Sequence, residues 1–138
     1  MSQIPDWSHD IELAAEPLSA SKAREFVCLR LVEHDLLYLV DEVQLVASEL
    51  ATNAIVHANT PFIVSLSAVD QTVLLAIRDG SRSVPVGARS QVIDMGGRGL
   101  MVVQLLSHGW GVSSDGRGSK SVWASFAMRT ESAAHLTG

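Results

Sequence analysis

The chain has 138 residues, of which 47% are hydrophobic and 18% are charged, and its formal net charge at pH 7 is −5. This size and composition favour one compact globular domain and exclude a largely disordered chain. The acidic balance, without any stretch that concentrates Lys and Arg, disfavours direct binding to nucleic acid, and the single cysteine excludes an internal disulfide.

The N-terminal segment MSQIPDWSHDIE carries neither the basic region nor the apolar region of a signal peptide. The longest uninterrupted apolar runs, such as residues 36–40, have five residues, which is far too short to cross a membrane. We therefore expect a cytoplasmic protein that makes no membrane contact. Residues 1–9 are predicted to form a loose leader, residues 10–129 a single domain and residues 130–138 a polar tail.

The first half of the domain is predicted to hold one short strand and two helices. Residues 11–15 form the strand, residues 18–37 the first helix and residues 38–58 the second. The second helix must end by Asn59, because Pro61 disfavours helical geometry at the residue before it. Its apolar stripe follows the helical spacing of three and four residues and consists of Val43, Val46, Leu50 and Ala54.

The second half changes from helical to alternating periodicity. Two hairpins flank a Gly- and Ser-rich segment, residues 80–97, and a third helix, residues 98–108. Connections as long as residues 80–97 are uncommon in compact domains and are often functional lids. The predicted hairpin strands are residues 62–68 and 72–78, then residues 110–114 and 121–128.

The resulting element order is β-α-α-β-β-lid-α-β-β. Two hairpins without a repeated βαβ crossover predict an α+β two-layer sandwich, in which a mixed, largely antiparallel sheet carries the helices on one face. No internal repeat is visible in the sequence.

Three polar side chains, Glu49, Asn53 and His57, follow one another at four-residue intervals along the second predicted helix. Each lies about 40° further round the helix and about one turn further along, so the three form a ridge beside the apolar stripe. Such a ridge is often only the polar margin of a helix. A carboxylate and an amide oxygen one turn apart also suit Mg²⁺, which prefers oxygen ligands and keeps waters while it bridges phosphates. Alternatively, the carboxylate could orient or deprotonate a nucleophile.

Asp79 stands at the end of a predicted strand and begins a Gly-Ser loop. Asp-Gly is a common turn pair, so a turn alone would explain this residue. A carboxylate in this position could equally accept a hydrogen bond from the exocyclic amine of a purine. The residues alone leave both interpretations open.

The motif GGRGL, residues 96–100, precedes an apolar helix. Glycines let the backbone approach a ligand closely, and free amides at a helix N-terminus attract phosphate oxygens. Arg98 would add positive charge at this point. The motif lacks the G-x-G-x-x-G spacing of a dinucleotide fingerprint, so it indicates either a phosphate site or simply the flexible end of a loop.

Together these motifs resemble those of the GHKL superfamily, the ATP-binding (Bergerat) fold of gyrase, Hsp90 and sensor histidine kinases. SELATNAIVH, residues 48–57, looks like the N-box of that superfamily, Asp79-Gly80 like the start of its G1 box, Gly97-Arg-Gly-Leu100 like its G2 box and SKSVW, residues 119–123, like its final G3 strand. Within the superfamily, the chain resembles the anti-sigma factor serine-protein kinases of the RsbW and SpoIIAB type. One departure is visible, because residues 79–83 carry serines at the later glycine positions of the D-x-G-x-G pattern.

The resemblance implies roles for individual residues. Asn53 would bind Mg²⁺ between the phosphates of ATP, and Glu49 would be the catalytic base that activates a serine hydroxyl of a partner protein. Asp79 would read the adenine amine, with Ser121 supporting it. Residues 81–96 would form the ATP lid. The phosphates would be wrapped by the G2 residues, namely Gly97, Arg98, Gly99 and Leu100.

The resemblance also implies a function. The chain would bind ATP with Mg²⁺, phosphorylate a serine of a STAS-type anti-anti-sigma protein and sequester a sigma factor, and it would pair as a homodimer through the sheet and the first helix. A rival interpretation is a non-catalytic nucleotide-sensing module that switches a partner without transferring phosphate. The incomplete G1 box motivates this second interpretation.

Overall fold

A computed structural model describes residues 4–80, 97–114 and 119–129, with side chains in the third helix described from Met101 onward. Within these ranges, three α-helices pack against one face of a five-stranded sheet. None of the described helices is both long and apolar enough to cross a membrane. The elements in chain order are β1 (Trp7–Leu13), α1 (Leu18–Glu33), a 3-10 turn (Leu37–Leu39), α2 (Val40–Asn53), a π-helical turn (Ala54–Ala58), β2 (Phe62–Val69), β3 (Thr72–Asp79), α3 (Gly97–Leu106), β4 (Gly109–Ser114) and β5 (Lys120–Ala127).

The strand order in the sheet is β1-β2-β3-β5-β4. Every pairing between the described strands is antiparallel, so the parallel component that a mixed sheet would contain is not present among them. The prediction of an α+β two-layer sandwich with a largely antiparallel sheet and helices on one face is confirmed. β3 lies at the centre of the sheet, where the β2–β3 hairpin pairs with β5 of the second hairpin.

The core lies between the sheet and the helices because alternate residues of the central strands are apolar. β2 and β3 each bury every second residue, whereas the intervening side chains are half-buried or exposed on the open face. From the helical side, α1 and α2 contribute buried stripes, and Val103 of α3 joins them. The largest fully buried side chains of this core are Phe62, Phe126, Leu31, Leu66, Leu75, Ile77, Val27, Val43, Val46, Val64, Val73 and Val103.

The first strand begins at Trp7, inside the segment predicted to be a loose leader, and it ends at Leu13 instead of residue 15. Its pairing with β2 starts with Trp7 opposite Ala68. The ring of Trp7 stacks on His34 at the end of α1, with centroids 3.9 Å apart and planes 6° from parallel. His9, two residues on, places Nε2 at 2.9 Å from Nε2 of His34. These contacts with a distant helix end, which the local sequence does not show, extend the strand.

The first helix ends at Glu33, four residues before the predicted boundary. Asp35 takes a left-handed conformation with φ 60°. The amide of Leu36 donates to the carbonyl of Leu31 at 2.8 Å, and the amide of Asp35 donates to the carbonyl of Val32 at 3.1 Å. This pair of bonds is the Schellman arrangement, which satisfies the last carbonyls of a helix and directs the chain into the 3-10 turn.

Two further sequence predictions concern segments outside the described residues. The polar tail, residues 130–138, lies wholly outside them, and so does the predicted ATP lid, residues 81–96.

Candidate functional site

The second helix places the N-box residues at the edge of the core. Val43, Val46 and Leu50 are buried in the apolar stripe. The first turn carries Asp41 and Glu42, whose negative charges interact favourably with the positive end of the helix dipole. Glu49 and Asn53 lie on the margin of that stripe, one turn apart, and both are half-buried. The buried stripe therefore fixes the side of α2 on which these two polar residues lie.

The α-helical pattern of α2 gives way to a π-helical turn directly after Asn53. The amide of Asn59 donates to the carbonyl of Ala54, five residues earlier, at 3.4 Å. Asn59 itself is left-handed with φ 55°, which ends the helix one residue after Ala58, before Pro61, as the sequence predicts. Single π turns inside helices occur frequently at functional sites, because they redirect side chains relative to a regular helix.

Asp79 is the last residue of β3 and is buried, with 4% of its surface exposed. It continues the alternation of Val73, Leu75 and Ile77, so its side chain lies on the helix-covered face of the sheet. In a soluble domain, a carboxylate almost never occupies such a position unless it is paired. The cross-strand neighbour of Asp79 is Lys120, the first residue of β5, and their Oδ2 and Nζ atoms lie 3.9 Å apart.

The end of α2, the π-helical turn after it, the end of β3 and the start of β5 form a pocket, here called the α2–β3 pocket. Its polar lining consists of Asn53, His57, Asp79 and Lys120, and its apolar walls consist of Leu50, Ala54, Ile77 and Val122. The space inside it that a water centre can reach is about 20 Å³, which is room for about one water molecule. A purine ring would enter only if a side chain moved.

The lining of the α2–β3 pocket has the chemistry of a small-molecule site. Such sites combine apolar walls with a few placed polar groups. Asp79 accepts hydrogen bonds and Lys120 donates them. The Nδ2 atom of Asn53 is buried without a hydrogen-bond partner among the described residues, which is uncommon for a polar atom. Rotation of the amide by 180° would place its oxygen at the same position, so Asn53 can offer either a donor or a ligand oxygen there.

The sequence-predicted site residues do not all meet in this pocket. Asn53 and Asp79 do, and His57 lies at its edge with an exposed side chain. Glu49 lies one turn before Asn53 and is not among the described side chains that line the pocket. Ser121, which the resemblance assigns to the support of Asp79, pairs with Arg78 and has its side chain on the opposite, open face of the sheet.

Lys120 is the pocket residue that the sequence analysis missed. The closing strand was predicted to start at residue 121, whereas the observed strand starts one residue earlier. The signal was present in the alternation, because Lys120 is in phase with Val122, Ala124 and Phe126, which are buried. A residue that continues this alternation has its side chain on the helix-covered face of the sheet, where the core lies.

The G2 residues lie at the start of α3. Gly97 is its first residue, and the backbone of Arg98, Gly99 and Leu100 forms the first turn. Their side chains are outside the described part of the chain, so their contact with phosphate stays a prediction.

The fold can now be compared with known proteins. A family model described as the histidine kinase-like ATPase domain matches residues 12–126. The chain belongs to this family. Residues 49–53 and Asp79 both lie within the matched range, and the GHKL resemblance of the sequence is confirmed.

A solved structure gives the same result for the fold. The crystal structure of the RsbU and RsbW domains of Rv1364c from Mycobacterium tuberculosis superposes with a TM-score of 0.66 at 18% sequence identity. The match covers 91% of this chain and 34% of that protein, so this histidine kinase-like domain spans about a third of the length of its structural neighbour. A comparison with curated protein sequences gives no match.

Proposed function

We propose that this histidine kinase-like domain binds ATP with Mg²⁺ and transfers the γ-phosphoryl group to a serine of a small STAS-type anti-anti-sigma protein, and that it also sequesters a sigma factor. The observation that carries this proposal is the meeting of Asp79 and Asn53 in one apolar-walled pocket at the end of α2. Membership of an ATPase-domain family supports ATP as the ligand.

The residues present fit a magnesium ion that arrives with the nucleotide. No group of three or more His, Cys, Asp or Glu side chains in the described ranges could hold a metal by itself. Mg²⁺ does not require one, because it commonly takes one or two protein oxygens and completes its shell with phosphate and water. The buried, unpartnered amide end of Asn53 is suited to supply one such oxygen after rotation. When bound, the ion would neutralise charge on the phosphates.

The two ends of the pocket would bind different parts of ATP. Asp79 would accept a hydrogen bond from the adenine amine, with Ile77 and Val122 against the ring. Asn53 would orient the phosphate end toward Glu49, which lies one turn back along α2. Phosphoryl transfer depends mainly on such positioning and charge neutralisation, so one oriented carboxylate is enough to receive the proton of the attacking serine hydroxyl.

A phosphotransfer assay tests this assignment. Radiolabelled ATP is incubated with the wild-type chain, or with Glu49→Gln or Asn53→Ala, in the presence of a purified STAS-domain protein from the same organism. Glu49→Gln should keep ATP binding and lose about 10²–10⁴-fold in transfer rate, the usual contribution of a general base. Asn53→Ala should lose the Mg²⁺-dependent part of ATP binding as well as transfer.

Glu42→Gln is a matched control, because Glu42 is an exposed glutamate in the first turn of the same helix. It should transfer phosphate at the wild-type rate. Equal transfer by the wild type and all three variants would contradict the assigned mechanism. A pull-down of the sigma factor with and without ATP tests sequestration, and gel filtration tests the expected homodimer.

The second candidate function is a nucleotide-sensing module without phosphotransfer. It is favoured by the position of Glu49 outside the lining of the α2–β3 pocket, together with the serines at the later G1 positions. Calorimetry would then show ATP binding, the nucleotide would change the affinity for the partner protein, and no phosphoprotein would form.

A further inference from the structure

Lys120 has no role in the function proposed above, although it lines the α2–β3 pocket beside Asp79, where the purine base would bind. Its side chain is 16% exposed and that of Asp79 is 3% exposed, so the ammonium group lies on the solvent side of the deeper carboxylate. Their strands are hydrogen-bonded neighbours, and both side chains are held on the helix-covered face by the register Asp79 opposite Lys120. Both side chains line the pocket, so a group that binds to Asp79 there lies next to Lys120.

The contact between the two charges is loose. At 3.9 Å, Nζ of Lys120 and Oδ2 of Asp79 are further apart than the about 2.7–2.9 Å of a charge-assisted hydrogen bond. A lysine side chain has four rotatable methylene groups, so its ammonium group can move away from the carboxylate without any movement of the backbone. The small free space of the pocket requires a lining side chain to move before a purine can occupy it, and Lys120 has the longest flexible stem among the lining residues.

The two kinds of purine would meet this pair differently. A 6-amino purine presents a donor to Asp79, as Lys120 does, so the base and the lysine compete for one carboxylate. A 6-oxo purine presents an acceptor at the same ring position, which Asp79 repels and Lys120 can satisfy. Its N1–H group is then available to donate to Asp79, so the ion pair can stay intact.

We propose that Lys120 is a specificity-determining residue of the nucleotide pocket, which lowers the preference for adenine by competing for Asp79 and by donating to the oxygen of 6-oxo purines. This inference rests on the proposed binding of a purine nucleotide at Asp79. It adds a second residue to base recognition, on the strand next to the one that carries the carboxylate.

The test compares the affinities for ATP and ITP, whose bases differ at the 6-position, by isothermal titration calorimetry with Mg²⁺. Lys120→Met removes the charge and keeps most of the length of the side chain. It should tighten ATP binding and weaken ITP binding, so that the ratio of the two affinities rises about tenfold, the scale of one hydrogen bond to a charged group. Lys120→Gln is a second charge-removing variant and should shift the ratio in the same direction.

Two controls isolate the effect. Lys120→Arg keeps the positive charge beside Asp79 and should leave the ratio near that of the wild type. Lys22→Met removes a lysine whose ion pair with Glu16 has the same 3.9 Å separation but lies on the exposed surface, and it should change neither affinity. Thermal melts show whether each variant is folded.

Each outcome decides the question. A ratio that rises in both charge-removing variants and in neither control supports the proposal. A wild type that binds ATP, with a ratio that stays constant or falls when Lys120 is removed, overturns the role of Lys120 and leaves the proposed function standing. A loss of ATP affinity in Lys120→Met also overturns this role, because Lys120 would then support adenine binding instead of competing with it. A wild type that binds neither nucleotide overturns both proposals.

Discussion

The two faces of the sheet differ most clearly where β3 and β5 meet at one end. Asp79 and Lys120 lie on the helix-covered face, inside the α2–β3 pocket. Arg78 and Ser121, one residue away in each strand, lie on the open face with Ser113, the cross-strand partner of Ser121. The two pairs contain similar groups, since each has one cationic side chain and one side chain with an oxygen atom that accepts hydrogen bonds. Only the covered pair is desolvated by apolar walls, and desolvation is what strengthens a polar contact with a ligand.

The alternation of side chains between the two faces of the sheet therefore decides which strand residues can line the pocket. A shift of one residue moves a side chain through the sheet to the other face. A motif of consecutive residues, such as SKSVW, therefore cannot be assigned to a pocket as a block.

The largest expected effect is on folding stability. Leu50→Ala should lower the free energy of unfolding by about 2–5 kcal/mol, because Leu50 is 2% exposed and its removal leaves a cavity beneath the pocket. Leu74→Ala is the matched change on the open face, where Leu74 is 37% exposed, and it should cost under about 1 kcal/mol. Urea denaturation of both variants measures this difference. Equal losses would show that the open face is as closely packed as the core.

The next largest effect is on nucleotide affinity. Asp79→Asn should weaken ATP binding about 100-fold, since a hydrogen bond to a charged group contributes roughly 1.5–3 kcal/mol. Arg78→Gln changes the exposed neighbour on the opposite face and should stay within about twofold of the wild type. Fluorescence titration with a labelled ATP analogue measures both. A similar loss in the two variants would refute the assignment of base recognition to the covered face.

A smaller effect on stability is expected from packing on the open face. A Cβ atom at Gly111 would lie 2.7 Å from Cζ2 of Trp123, so Gly111→Ala should displace the indole and cost about 1–3 kcal/mol. Gly109→Ala is the control on the same strand, because its Cβ atom would lie 3.4 Å from Oγ of Ser125 and 4.0 Å from Trp123. Tryptophan fluorescence and thermal melts should change in the first variant and hardly in the second.

The smallest effect is expected at Ser121. Ser121→Ala should change ATP affinity by less than about twofold, because the side chain lies on the face away from Asp79 and a surface substitution costs little. Calorimetry on this variant is the direct test of the role that the family resemblance assigns to Ser121. A tenfold loss would show that the resemblance is right and that Ser121 acts on Asp79 across the strand.

The sequence by itself determined the features that depend on local periodicity. The apolar spacing of Val43, Val46 and Leu50 predicted α2. The alternation along residues 62–68 predicted β2, and the apolar stretch that follows the turn at residues 70–71 predicted β3. Helix-ending chemistry at Asn59 before Pro61 also follows from the residues alone. These patterns, together with the N-box motif, were sufficient to predict the two-layer fold and to place Asn53 and Asp79 among the candidate site residues.

Only the tertiary structure decided the features that depend on distant contacts. β1 begins at Trp7 because that ring stacks on His34, and α1 ends at Glu33 through Asp35 in a left-handed conformation, which is uncommon for residues other than glycine. Lys120 lines the pocket and Ser121 does not, because the register between β3 and β5 places Lys120 opposite Asp79. Register is set by the packing of whole strands against the helices, and no short motif contains that information.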